Sequence, residues 1–294
     1  MPTRRSRPRR SCHSVPVTRP RMVEKARDLP ADLVFLDMED AVPPAERGDG
    51  ARAAAVAALA APFASPTVAV RVNAVGTPWC LGDLCAVVPA RPGIVLVPKV
   101  EDPGQVAFVC HLVDALEAEH GLEPGSVGVE LQIESPGALA RVAEIASASP
   151  PRVEALVFGP GDFAASLGAP QTMVGELPDP AGPDPAAMAL FAMVVAARAH
   201  GLQAVDGPYG DIGDADGLAR SAARARALGC DGKWSIHPSQ ITVLNDAFTA
   251  SAEEVERARA ILAAVGDGGA ARLEGEMVDD ATRRLAEAVL RRAG

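Results

Sequence analysis

Charged side chains in this sequence gather where apolar runs end. FLDMED (Phe35–Asp40) finishes one run with Asp37, Glu39 and Asp40, and AVRVN sets Arg71 inside another. VPKVED then carries Lys99, LQIES carries Glu134, FGPGD carries Asp162, and two later runs end at Asp206 and near His237. Glu134 and Asp162 are a pair of hard oxygen donors suited to one divalent cation. Magnesium is commonly held by only one or two carboxylates, with water and substrate oxygens completing its octahedron. The competing reading pairs Glu134 with Arg71 or Lys99. An arginine inside a buried run needs a carboxylate partner or an anionic ligand, and its planar fork suits an enolate or a carboxylate. Glu39 and Asp40 are the partners expected for Arg71 if its role is structural. A desolvated Lys99 would be a Schiff-base nucleophile, but carboxylates nearby keep it protonated and make it an orienting cation. His237, in SIHPSQI, is read as an orienting group or an acid-base group. Gly159 and Gly161, on either side of Pro160, let backbone come close to a ligand. His13, His111, His120, His200 and His237 lack the close spacing of a zinc site.

Such residues act together only if the fold brings the ends of the runs to one place. Eight short runs read as strands: Ser11–Val17, Asp32–Asp37, Thr67–Asn73, Gly93–Val100, Val127–Glu134, Ala155–Phe158, Leu202–Asp206 and Gly232–Ile236. Most are continuous Val, Ile, Leu and Phe, the pattern of strands covered on both faces. Helical patterns lie between them. From Asp102 to His120, Val106, Val109, Cys110, Val113 and Leu116 form one apolar stripe that Gly121 stops. Ser135-Pro136 supplies a cap and a first-turn proline for the next helix. Strand and helix alternating eight times predict an α/β fold, a (β/α)8 TIM barrel, with a doubly wound sheet as the alternative. In a barrel the carboxyl ends of all strands converge on one rim. Residues 1–10 read as a disordered basic tail, 11–248 as the catalytic barrel, and 249–294 as a C-terminal helical lid or subunit arm with a break at Gly266–Gly269. Gly168–Pro185 reads as a long loop on the active-site face.

Composition narrows the partners. The 294 residues carry a net charge of −10, which argues against nucleic acid because binding the phosphate backbone needs a basic surface. MPTRRSRPRR holds five arginines, but no apolar stretch of signal-peptide length follows it. Nothing approaches 18 consecutive apolar residues, so no membrane span is expected. Five cysteines without C-x-x-C spacing read as reduced thiols of a cytoplasmic protein.

Taken in order, RRSCHSVP (Arg9–Pro16), PRMVEKA (Pro20–Ala26), FLDMEDAV (Phe35–Val42), RVN (Arg71–Asn73), VPKVED (Val97–Asp102), IES (Ile133–Ser135), FGPGDFAASLG (Phe158–Gly168) and DGKWSIHPSQI (Asp231–Ile241) resemble the citrate lyase β-subunit-like and malyl-CoA lyase family. The resemblance implies a metal-dependent carbon–carbon lyase acting on an acyl-CoA thioester and a 2-oxo acid. It implies that Glu134 and Asp162 hold Mg2+, with Mn2+ as a substitute, and that Arg71 stabilises an acetyl-CoA enolate. Gly159, Pro160 and Gly161 would line the substrate, and Asp37, Glu39, Asp40, Lys99 and His237 would support the site. Asp279, in GEMVDD, is similar to a family aspartate that reaches a neighbouring subunit's site in a homotrimer or homohexamer. A malyl-CoA thioesterase, a pyruvate-enolate aldolase, a non-catalytic CoA-ester-binding subunit and a carrier-protein complex are the alternatives.

Overall fold

Parallel β-sheet buried on both faces accounts for the continuous apolar runs, and the computed structural model, which describes residues 6–177, 184–266 and 269–293, closes that sheet into a barrel. Its strands are β1 (Ser11–Pro16), β2 (Leu33–Asp37), β3 (Thr67–Arg71), β4 (Ile94–Val97), β5 (Gly128–Ile133), β6 (Val153–Phe158), β7 (Gln203–Asp206) and β8 (Gly232–Ser235). They hydrogen-bond in sequence order. β8 returns to β1 through Ser11–Lys233, Cys12–Trp234 and His13–Ser235, so no edge is left open. The helix Pro103–Glu119 buries the expected stripe of Val106, Val109, Cys110, Val113 and Leu116, and the Asp102 side chain caps it by accepting from Gln105 N. Ser135 caps the helix Pro136–Ala140 in the same way.

Packing fills the barrel's interior. The rings of Phe35 on β2 and Trp234 on β8 lie 4.5 Å apart although β1 separates their strands, so they meet across the lumen. Cys12, Leu33, Ala69, Ile94, Leu96, Val157 and Val205 join them in one fully packed cluster. Burying a side chain of Phe or Leu size contributes about 1.5–3 kcal/mol, and this cluster makes the barrel a solid support rather than a pore.

The basic amino-terminal segment departs from its reading as a disordered tail. Met1–Arg5 lie outside the described residues, but Arg9 is buried, with Nε 2.8 Å from Glu130 on β5 and Nη2 2.8 Å from Glu154 on β6. Its third nitrogen bonds Gln203 on β7. Arg7 adds a second pair to Glu154 at 2.8 Å, and Arg10 pairs with Asp32 at 2.8 Å. The arginines tie the entering chain to the amino-terminal ends of four strands. Charges buried in this way must be paired, and that need fixes where the chain enters the barrel.

Two compact units divide the chain, Met1–Leu244 and Asn245–Gly294. In the second, a capping box at Ser251 and Glu254 starts the helix Ala252–Val265. Residues 267 and 268 of the glycine-rich break expected at Gly266–Gly269 lie outside the described residues; past it, and before the second helix, comes an unexpected hairpin, β9 (Ala271–Leu273) and β10 (Glu276–Val278), turning through Glu274 and Gly275 at φ 48° and 93°. The helix Asp280–Arg291 follows. No disulfide joins any of the five cysteines, and among the described residues no helix is long and apolar enough to cross a membrane.

Candidate active site

The site grows from β2 and β3. Asp37, wholly buried at the end of β2, takes Arg71 Nε at 2.8 Å and Nη2 at 2.6 Å, a bidentate clamp between adjacent strands. The same carboxylate accepts from the backbone of Glu39 at 2.9 Å and Ala41 at 3.2 Å, which folds the following loop back over the barrel mouth. Arg71's main partner is therefore Asp37, and the expected partners Glu39 and Asp40 are secondary: its remaining nitrogen, Nη1, lies 3.4 Å from Glu39 and 3.7 Å from Asp40. Beneath it, the guanidinium carbon sits 5.4 Å from the Trp234 ring centre and 5.9 Å from that of Phe35. Burial alone would lower the Arg71 pKa, but Asp37, Glu39 and Asp40 outweigh it and the net shift is upward. Arg71 stays a fixed cation.

Lys99, just beyond β4, adopts φ 53°, a left-handed conformation costly for a side chain with a Cβ. The turn aims two groups at once. Its N–H donates to Glu134 Oε1 at 2.7 Å, while Nζ lies 2.5 Å from Glu39, 3.1 Å from Asp40 and 3.3 Å from Asp162. Burial opposes the charge on Lys99, yet Glu39 and Asp40 raise its pKa, so it serves as a cation and not as a nucleophile.

Glu134 follows β5, and neither Arg71 nor Lys99 forms a side-chain ion pair with it. Its two oxygens each receive one N–H, from Lys99 backbone and from Gln132 Nε2 at 2.8 Å. Burial, opposed by Arg71 and reinforced by Asp162, pushes its pKa up to about 8. Asp162, in the first turn of the helix Pro160–Leu167, is partly exposed, with Lys99 as its ion partner. Gly159 sits directly against Glu134: a Cβ there would lie 2.5 Å from Glu134 Cβ and 2.6 Å from Oε2. Burial likewise raises the Glu39 pKa.

Other expected members make bonds of their own. Asp206 is spent on a buried 2.5 Å pair with Lys233. His237 is exposed and bonds Ser239 in its own turn at 2.8 Å. Asp279 belongs to the second unit, where it caps the helix Asp280–Arg291 by accepting from Ala281 and Thr282 at 3.0 and 3.1 Å. Sequence reasoning passed over Gln132, although it lies two residues before Glu134 on the same strand and so shares its face.

Five carboxylates, Asp37, Glu39, Asp40, Glu134 and Asp162, surround two cations, an excess of negative charge at a barrel mouth. Glu134 is the telling member. Both its oxygens are oriented by N–H donors, and its raised pKa marks a carboxylate in want of positive charge. Hard oxygen donors of this kind, with room for water and ligand at the half-exposed Asp162, fit a magnesium-type ion.

A family model described as HpcH/HpaI aldolase/citrate lyase matches residues 10–238, and one described as a C–C bond lyase of the TIM-barrel fold matches residues 194–294. The chain belongs to the HpcH/HpaI aldolase/citrate lyase family. It is 37% identical to the L-malyl-CoA/β-methylmalyl-CoA lyase of Rhodobacter capsulatus, over 95% of this chain and 92% of that protein. To the citrate lyase subunit β of Escherichia coli it is 35% identical, over 99% and 95%. The solved structure of CitE from Mycobacterium tuberculosis, in complex with magnesium, acetoacetate and coenzyme A, matches 97% of each chain at 33% identity and a TM-score of 0.76. The family's barrel and its (β/α)8 order are those described above.

Proposed function

We propose that this chain is a Mg2+-dependent carbon–carbon lyase that cleaves, or in reverse forms, a 3-hydroxyacyl-CoA such as malyl-CoA or citryl-CoA, giving acetyl-CoA and a 2-oxo acid. The observation that carries this reading is the juxtaposition of the oriented Glu134 carboxylate and Asp162 with the clamped Arg71 at one barrel mouth. The names of its relatives, lyases of malyl-CoA and citrate, support the substrate class.

Glu134 and Asp162 would hold the magnesium, which supplies Lewis acidity for a hydroxyl or keto oxygen and its adjacent carboxylate; manganese would serve in its place. The hydroxyl loses its proton to solvent and its oxygen becomes the keto oxygen as the carbon–carbon bond breaks; the electron pair of that bond stays on the acetyl-CoA fragment as an enolate, which a solvent proton then converts to acetyl-CoA. Arg71 meets that charge. Asp37 occupies Nε and Nη2, so the cation is held before the reaction begins and no reorganisation is required when charge develops, while Nη1, 3.4 Å from Glu39 and 3.5 Å from Gln132, is the loosely held edge offered to the substrate. Lys99 keeps Glu39 and Asp40 neutralised and, through its backbone, keeps Glu134 turned toward the ion. Gly159, Pro160 and Gly161 bring backbone close to the substrate carboxylate, where a bulkier residue at 159 would displace Glu134. In the condensing direction Asp279 of a neighbouring copy, in a homotrimer or homohexamer, removes the methyl proton of acetyl-CoA. The second unit acts as the lid that delivers it, and the enzyme works in the cytoplasm.

The test is a condensation assay with acetyl-CoA and glyoxylate, or oxaloacetate, in Mg2+, with products resolved by mass. An acyl-CoA adduct that disappears with EDTA and in Glu134→Ala supports the lyase and names its acceptor. Release of free acid with free CoA supports the thioesterase instead.

A further inference from the structure

On its inner face β5 presents Glu130, Gln132 and, just past its end, Glu134, a polar column beside the apolar cluster that packs the barrel. Glu130 is neutralised by Arg9 at one end. Gln132, 3% exposed, sits between that pair and the site, and its one amide has two dissimilar neighbours. Nε2 donates to Glu134 Oε2 at 2.8 Å, and Oε1 faces Arg71 Nη1 at 3.5 Å. A neutral amide is the side chain that can give a proton to the carboxylate and offer an oxygen to the guanidinium at the same time.

Resting on the reading above, we infer that Gln132 is a positioning residue: it sets the rotation of the Glu134 carboxylate for a divalent cation and holds Arg71 Nη1 loosely until substrate takes it. Three observations converge. Glu134 has two N–H donors, one per oxygen, from Lys99 and Gln132, which fixes its plane and turns its other lone pairs toward the mouth. Gly159 packs against both Glu134 and Gln132, so closely that a Cβ added to it would lie 2.9 Å from Gln132 Nε2, and the amide has no room to turn away. Finally, all the contacts of Arg71 Nη1, with Gln132 at 3.5 Å, Glu39 at 3.4 Å and Asp40 at 3.7 Å, are much longer than the 2.6–2.8 Å bonds of Nε and Nη2 to Asp37, so Nη1 is the easiest edge to release. Partners of this outer kind commonly change metal affinity about 10–100-fold.

The test uses the full-length protein with Mn2+ as the probe, its affinity read by electron paramagnetic resonance without substrate, beside KM and kcat of the condensation. Gln132→Met keeps the volume and removes both hydrogen bonds. Gln132→Glu keeps an acceptor for Arg71 but turns the donor facing Glu134 into a second carboxylate. The expected result is a Mn2+ Kd raised at least about 10-fold in Gln132→Met, with KM for the 2-oxo acid rising alongside it. Gln132→Glu should differ in kind, with kcat falling further than in Gln132→Met because Arg71 is now held too tightly. If Gln132→Met is too unstable to purify, the Mn2+ affinity and kcat of Gln132→Glu decide alone, and wild-type values in both overturn the inference. So do wild-type Kd and KM in a folded Gln132→Met. If the wild-type protein binds no Mn2+, the metal-site reading falls and takes this inference with it; wild-type binding with no effect of either variant overturns the role of Gln132 only.

Discussion

Replacing Gly159 with alanine puts a methyl group where Glu134 already is. The backbone at Gly159, φ −103°, is one that any residue adopts, so the effect is steric and local. The new Cβ would lie 2.5 Å from Glu134 Cβ, 2.6 Å from Oε2 and 2.9 Å from Gln132 Nε2, where ordinary contact begins at 3.4 Å. The carboxylate must therefore retreat by roughly 0.8 Å, while Lys99 N–H and Gln132 Nε2 both lose their present geometry with it. A displacement of about 1 Å at a reacting centre costs on the order of 100-fold in rate, equivalent to ~2.7 kcal/mol. Overpacking at the same position should destabilise the fold by about 1–3 kcal/mol. The assay is kcat/KM with the acceptor that the wild-type enzyme uses, together with Mn2+ affinity and a urea melt at one temperature. The expected pattern is a loss of roughly 100-fold in kcat/KM and weaker Mn2+ binding in a protein that still melts cooperatively. Activity and Mn2+ affinity within about threefold of wild type would refute the claim that Glu134 and Gly159 form one fitted surface.

Three further expectations follow from the buried charges. Asp37→Ala should cost about 3–5 kcal/mol in urea unfolding, because Arg71 is left buried without its bidentate partner; a loss below about 1 kcal/mol would show that Glu39 and Asp40 hold Arg71 unaided. Burial and His237 lower the His13 pKa to about 4, so the folded state binds its proton less readily than the unfolded state. Stability should then fall as pH drops from about 6.5 to 4, and His13→Asn should flatten that part of the curve in a series of denaturant melts. Burial raises Glu134 to about 8, so the metal-free fold favours its neutral form and loses that share of stability as pH rises through 8. Mn2+ affinity should rise over the same range, with proton release on binding at pH 7, and calorimetry in two buffers of different ionisation enthalpy reads that release. Affinity independent of pH would mean that Glu134 is not a ligand.

Much of the fold can be read directly from the chain because its signals are local. Eight apolar runs, each bounded by turn residues, match the eight strands within a few residues at either end. The stripe from Val106 to Leu116 and the caps at Asp102 and Ser135 rest on spacings of three or four residues. What escaped depends on partners far away in sequence. Arg9 looks like part of a tail because Glu130 and Glu154 stand more than a hundred residues on. Asp37, rather than Glu39 or Asp40, clamps Arg71 because β2 and β3 pair in a register that sets Asp37 beside it. Lys99 read as a side chain, whereas its left-handed backbone is what reaches Glu134. Gln132 was legible by strand alternation from Glu134, and the hairpin at 271–278 by its Glu-Gly turn, both weaker signals than the charges around them.

The central claim is that an acetyl-CoA enolate forms at Arg71 beside the Glu134 and Asp162 pair. Its most direct test is cleavage of malyl-CoA, or of the adduct that the condensation assay identifies, in D2O with Mg2+, followed by mass analysis of the thioester. The expected product is acetyl-CoA carrying one solvent deuterium in its methyl group, with the 2-oxo acid released in equal amount, and both lost in Glu134→Ala. Free CoA with the intact hydroxy acid, and no deuterated acetyl-CoA, would contradict the account.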